Sequence, residues 1–189
     1  MTTTRDLLVL QFLTNVRVAS TTQIREAFFP GLNPGVAYSR LRYLANNKFV
    51  KRKYYHLAEG SNMYVYYLDK CPSKKTLEHE LLITQFYVEL KKLNFEILSF
   101  EKNIIYRGFR PDAIVTFKTD KNQVKKVFLE VQLSKHSVYE KYYNINPNAD
   151  ETIPKYLWVV TDQPQQQHQI RNLRIIIDDL KMTKLRNYF

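Results

Sequence analysis

A chain of 189 residues with 44% apolar and 14% aromatic side chains can bury one sizeable core or two small ones. No stretch approaches the roughly 18 uninterrupted apolar residues of a membrane helix, and the start MTTTRDLLVLQFL lacks the basic leader and cleavage site of a signal peptide, so a cytoplasmic location is expected. The formal charge of +11 suits nucleic acid first, an acidic protein partner or a merely solubilising surface otherwise, and the excess is concentrated early: residues 1–70 hold 10 Lys or Arg against 4 acids, residues 71–189 hold 19 against 14.

RDLLVLQFLTNV repeats apolar residues at helical spacing through Leu7, Leu8 and Phe12, with Leu10 and Leu13 alongside. STTQIREAFF offers a Ser or Thr cap and a short amphipathic helix around Ile24, Ala27 and Phe28, and FPGLNPG reads as a turn. GVAYSRLRYLANNKF then places Val36, Leu41 and Leu44 inward and leaves Ser39, Arg40, Arg42 and Tyr43 largely outward. VKRKYYHL and NMYVYYLD are strand-like runs joined by AEGSN. Three helices and a basic hairpin are the order of a winged helix-turn-helix. In such a module the third helix reads base edges and the wing touches phosphates, a task that suits Asn33, Tyr38, Ser39, Arg40, Arg42 and Tyr43 on the helix and Lys51, Arg52, Lys53 and Tyr54 on the wing. The alternative is a solvated helix face beside a hairpin whose tyrosines only pack against one another.

Cys71, Pro72 and Ser73 mark a joint, dividing the chain into a DNA-binding domain, 1–70, and a second domain, 71–189. Cys71 is the single cysteine, which excludes an internal disulfide, and it shares no zinc-ligand spacing with His56, His79, His136 and His168. TLEHELLITQFYVELKKL is helical, with an apolar face through Leu77, Leu81, Phe86 and Leu90. FEILSFEKNI, RPDAIVTF, KKVFLEVQL and YLWVVTD read as strands, while KHSVYEKYYN and PQQQHQIRNLRIIIDDL read as helices or helix starts lying on the sheet. The fold class expected is therefore α+β to α/β, with Trp158 in the core.

Period-two alternation puts Asp112 on one face of its strand and Lys126, Phe128, Glu130 and Gln132 on one face of the next, so a hairpin of suitable register brings Asp112 beside Glu130. Two carboxylates on one sheet face, joined by a helical acid such as Glu80, are the oxygen ligands Mg²⁺ uses when it activates water against a phosphodiester. The bland reading is a strand-starting Asp and the solvent side of an amphipathic strand. His136 and His168 have no partner at a fixed spacing and read as loop residues.

Pro111-Asp112 followed by Glu130-Val131-Gln132 resembles the PD-(D/E)XK nuclease superfamily, with Gln132 in the lysine place. An amide orients water but carries no charge and takes up no proton, so efficient catalysis would need a displaced lysine, Lys135 or Lys141. The wider order, RLRYLANNKFVKRKYY, HELLITQFYVEL, RPDAIV, VFLEVQ, YEKYYN and YLWVVTD, resembles the plasmid replication-relaxation family. That resemblance implies a winged helix-turn-helix fused to a PD-(D/E)XK-like α/β sandwich domain. It further implies a sequence-specific double-stranded DNA-binding protein of a plasmid, phage or conjugative element that acts in replication, relaxation or transfer. Replication or relaxosome proteins and a second copy in a homodimer are its expected partners, with no membrane role and no cofactor unless the nuclease-like site is active with Mg²⁺. Two other readings stay open: a Mg²⁺-dependent endonuclease or nickase using Asp112, Glu130, Gln132, Glu80 and Lys141, and a transcriptional regulator whose second domain oligomerises.

Overall fold

The computed structural model describes residues 2–56, 62–134, 138–163 and 169–189, so Lys135, His136 and His168 lie outside the described residues. The chain divides into two compact units, Met1–Val88 and Glu89–Phe189.

In the first unit, α1 (Thr4–Val16) starts at a capping box in which Thr3 Oγ1 accepts from the Asp6 amide and the Asp6 carboxylate accepts from the Thr3 amide at 2.6 Å. The stripe it buries is Val9, Phe12, Leu13 and Val16, and Leu7 and Leu8, read as part of the apolar repeat, are exposed at 59% and 48%. Spacing decides this: 9, 12, 13 and 16 fall on one face of a 3.6-residue helix, and residues 7 and 8 do not. Arg17 ends the helix at φ 71°, its amide bonding Leu13 O, and a short strand that the sequence reading missed follows, β1 (Val18–Ser20). Ser20 caps α2 (Thr21–Phe28) with Gln23 as its capping-box partner. Asn33 caps α3 (Pro34–Asn46), whose first position is the proline that a helix start tolerates. Here Ala37, Leu41 and Leu44 are buried, whereas Val36, expected inward, is 46% exposed because it shares a face with Arg40 and Tyr43.

β2 (Lys51–His56) and β3 (Asn62–Tyr67) pair antiparallel with Tyr54 opposite Tyr64, and β3 also pairs β1, giving the sheet order β1-β3-β2. α4 (Lys74–Lys92) begins against this sheet, with Leu77 in a cluster with Val18, Tyr55 and Val65. Thr84 Oγ1 donates to Val18 O at 2.7 Å, Gln23 Nε2 donates to Leu81 O at 2.7 Å, and the Phe12 and Tyr87 rings meet edge-on at 4.9 Å. The expected joint at Cys71–Ser73 therefore lies inside the first compact unit, which takes the turns of α4 through Val88 as part of its core.

In the second unit the strands are β4 (Glu96–Lys102), β5 (Ala113–Lys118), β6 (Val124–Gln132), β7 (Tyr156–Thr161) and β8 (Arg174–Asp178), in that spatial order. β4, β5 and β6 form an antiparallel meander, and β6, β7 and β8 run parallel. One face of the sheet packs Ile114, Phe128, Leu157 and Val159 against Tyr139 and Tyr142. On the other, Trp158, Phe117 and Tyr156 meet Phe189, which follows the short helix α5 (Leu185–Tyr188).

Two expected helices are corrected. YEKYYN supplies only a 3-10 turn, Glu140–Tyr142, and RIIID is the strand β8. A run of three isoleucines is β-branched and apolar on both faces, which suits a strand in a parallel ladder better than a helix surface.

Candidate functional site

In the first unit, Asn33, Tyr38, Ser39 and Arg42 are exposed, Arg40 and Tyr43 are half-buried, and Lys51, Arg52, Lys53 and Tyr54 are all exposed along β2. These ten positions have two different roles. Asn33 Oδ1 accepts from the Gly35 amide at 2.9 Å and so caps α3. The guanidinium of Arg40 grips the carboxylate of Asp6 with two nitrogens, Nε reaching Oδ1 at 2.7 Å and a terminal nitrogen reaching Oδ2, and it lies 4.5 Å from the Tyr43 ring centre. Asp6 is fully buried, and the hydrogen bonds from Arg40 above all, helped by those from Thr3, hold its carboxyl down at about 2. Arg40 therefore ties α3 to the first turn of α1. Tyr38, Ser39 and Arg42 on the helix and the cations of β2 are the outward-facing groups.

In the second unit the β5–β6 register pairs Ala113 with Leu129 and Ile114 with Phe128, and one step further sets Asp112 opposite Glu130. Asp112 Oδ2 accepts from the Val131 amide at 2.8 Å. Glu130 is 2% exposed, and its Oε1 takes both the Lys141 ammonium at 2.8 Å and a short hydrogen bond from the Tyr142 hydroxyl. Lys141 also donates to Arg110 O at 3.0 Å. Burial first, and then the neighbouring Asp112 charge, push the Glu130 carboxyl up to about 7 despite the opposing pull of Lys141 and Tyr142. Burial and the Glu130 charge push the Tyr142 hydroxyl far above its ordinary range, so Tyr142 serves as a hydrogen-bond donor. Gln132, 4% exposed, donates from Nε2 to Ser134 O at 3.1 Å, and its Oε1 receives no hydrogen bond from the described residues.

Asp112, Glu130, Gln132 and Lys141 belong to one unit, and Lys141 reaches Glu130. Glu80 lies on α4 in the first unit, where its carbonyl accepts from Thr84 Oγ1 at 3.0 Å. No group of three or more His, Cys, Asp or Glu side chains able to hold a metal ion forms among the described residues. With Glu130 Oε1 already taken by an ammonium and a hydroxyl, and Asp112 Oδ2 by an amide, the set as arranged does not fit Mg²⁺.

Residues 10–71 match the Replication-relaxation family. The resemblance read from the sequence thus holds for this segment. The replication-relaxation match takes in α3, the β2–β3 hairpin and all ten candidate DNA-binding positions, and it stops before Asp112, Glu130, Gln132 and Lys141. No curated protein and no solved structure matches the chain. Inside the matched segment, sequence reasoning recognised the exposed cations and missed that Arg40 has a buried counterion. Thr3-x-x-Asp6 has the spacing of a capping box, but nothing in that spacing says that the acid also serves a helix 34 residues away. Outside it, nothing in the sequence singles out Tyr142, and only the fold shows it capping Glu130.

Proposed function

We propose that the protein is a sequence-specific double-stranded DNA-binding protein acting in the replication, relaxation or transfer of a plasmid, phage or conjugative element. In this reading the first unit is a winged helix-turn-helix. The observation that carries it is the joint presentation, in the segment matching the replication-relaxation family, of an outward Tyr38, Ser39 and Arg42 on α3 and an unbroken exposed run Lys51–Tyr54 on β2. A helix of this kind reads base edges in the major groove, while adjacent cations hold phosphates by releasing counterions. The element order helix, strand, helix, helix, strand, strand supports the assignment. A homodimer would supply the second half-site, and the cytoplasm is the compartment that fits such a role.

The second unit, in this reading, is a PD-(D/E)XK-like sandwich that widens the DNA contact or recruits replication or relaxosome proteins rather than cutting. Its meander β4–β5–β6 followed by a parallel β7 supports that likeness. The rival, a Mg²⁺-dependent endonuclease or nickase, draws on one observation: Lys141 comes within 2.8 Å of Glu130, where a displaced lysine would have to act. For that rival, Lys141 and Tyr142 must release Glu130 before a metal can bind.

One paired assay tests both. The full chain is incubated with supercoiled DNA of its own element, with and without Mn²⁺, and retardation and nicking are scored together. Retardation that Arg42→Ala weakens by about tenfold, without metal-dependent breaks, is the expected result. Breaks abolished by Asp112→Ala would establish the nuclease, and unchanged retardation in Arg42→Ala combined with Tyr38→Ala would remove α3 as the reading helix.

A further inference from the structure

The β2–β3 hairpin has two unlike faces. Tyr55 and Val65 point into the core with Leu77, while Arg52, Tyr54, His56 and their partners Tyr66, Tyr64 and Asn62 occupy the opposite face, on which Tyr66 is buried and Tyr54 and Tyr64 are open. Tyr54 and Tyr64 are 42% and 39% exposed, directly cross-strand, with ring centres 4.8 Å apart and tilted by 52°. His56 stands edge-on to Tyr54 at 4.9 Å and is held by a 2.9 Å hydrogen bond between its Nδ1 and Asn62 Oδ1, and the Arg52 guanidinium lies 5.1 Å from the Tyr64 ring centre. The strands themselves carry Lys51, Arg52 and Lys53 and no carboxylate.

Cations suffice to hold a phosphate backbone, and cross-strand packing of Tyr54 on Tyr64 still leaves each ring about 40% open beside Arg52. In a duplex the bases are stacked on one another and present only their edges, which offer a ring face no stacking partner. An unpaired base exposes its π-face, and stacking on an aromatic ring beside a cation is the chemistry by which single strands are held without sequence preference. We infer that this face of the hairpin binds unpaired nucleobases of single-stranded DNA, with Tyr54 and Tyr64 as the stacking surface and Arg52, on the same face, neutralising the strand's phosphates. The inference rests on the nucleic-acid role proposed for the first unit and adds to it a second ligand: a melted strand beside a duplex site.

The test uses the full chain and fluorescence anisotropy with three labelled probes: an oligothymidine of about 12 nucleotides, an abasic deoxyribose-phosphate strand of equal length, and a duplex. Oligothymidine is expected to bind about tenfold tighter than the abasic strand. Tyr54→Ala and Tyr64→Ala should each weaken oligothymidine binding by about tenfold and duplex binding by less than about twofold, with Tyr54→Phe close to the parent. Equal affinity for the abasic strand, equal losses on duplex and single strand, or displacement of oligothymidine by polyglutamate as readily as by unlabelled oligothymidine would each overturn it. Duplex binding without preference for oligothymidine over the abasic strand sinks this inference alone. Failure to bind any of the three probes sinks the nucleic-acid reading together with it.

Discussion

Arg40 and Arg42 sit two positions apart on one helix, and geometry gives them opposite duties. Arg40 is spent on Asp6, a carboxylate with no exposure of its own, so Arg40→Ala strands a buried charge. Losing the guanidinium leaves that carboxylate without its main partner, and urea denaturation should show a clear loss of stability in Arg40→Ala while Arg42→Ala stays close to the parent. DNA affinity should separate them the other way once Arg40→Ala is assayed under conditions where it is folded. Glu130 supplies a second residue-scale prediction. Its carboxyl titrates at about 7 in the fold against an ordinary value of 4.5, so the folded state holds a proton that the unfolded chain has already released. Stability is thus fully present below about pH 4.5 and is lost as pH rises through 7, by up to about 3 kcal/mol. Glu130→Gln should flatten the profile of unfolding midpoint against pH across that window; a slope unchanged in the variant would remove Glu130 as its source. The sequence showed that a carboxylate sits here. It did not show the sign of its energetic effect, because burial by Tyr142 and the turn at Glu140–Tyr142 depends on contacts that strand alternation cannot reveal.

At the level of elements, legibility followed periodicity. The four strands from FEILSFEKNI to YLWVVTD were readable because alternating or continuous apolar runs have few alternatives, and the structure forms each of them as β4 to β7. β8 was misread since three isoleucines flanked by charges satisfy a helical period nearly as well as a parallel strand, and only pairing with β7 decides between them. β1 was missed because three residues are too few to show any period; its existence depends on β3 lying beside it. The aromatic layer on the other face of the sheet is half legible: Trp158 reads as core, but nothing local says that Phe189 stacks on it at 5.5 Å and meets Phe117 at 5.1 Å. Phe189→Ala should cost about 2 kcal/mol in denaturant unfolding and Phe189→Leu roughly half that, since leucine keeps the buried area and loses the ring contacts.

For the whole molecule, the division after Val88 makes a direct claim about fragments. A fragment ending at Lys70 lacks Leu77, Thr84 and Tyr87, which close the core over Val18 and Phe12, whereas one ending at Val88 keeps them. The longer fragment should unfold cooperatively with dispersed amide resonances, and the shorter one should not. The order of the five-stranded sheet has a kinetic consequence. β4, β5 and β6 are sequence neighbours and can zip early as a meander, but β7 reaches β6 only after a long crossover closes, so in the interval VFLEVQ presents an unpaired, almost wholly apolar edge. Glu130 is the one ionisable group in that run, and during refolding, before Tyr142 covers it, it is a solvated negative charge that discourages two such edges from joining. The residue that weakens the finished fold at neutral pH therefore guards the unfinished one. Glu130→Gln is expected to return less soluble protein from dilution refolding as concentration rises, even where its native state is the more stable of the two.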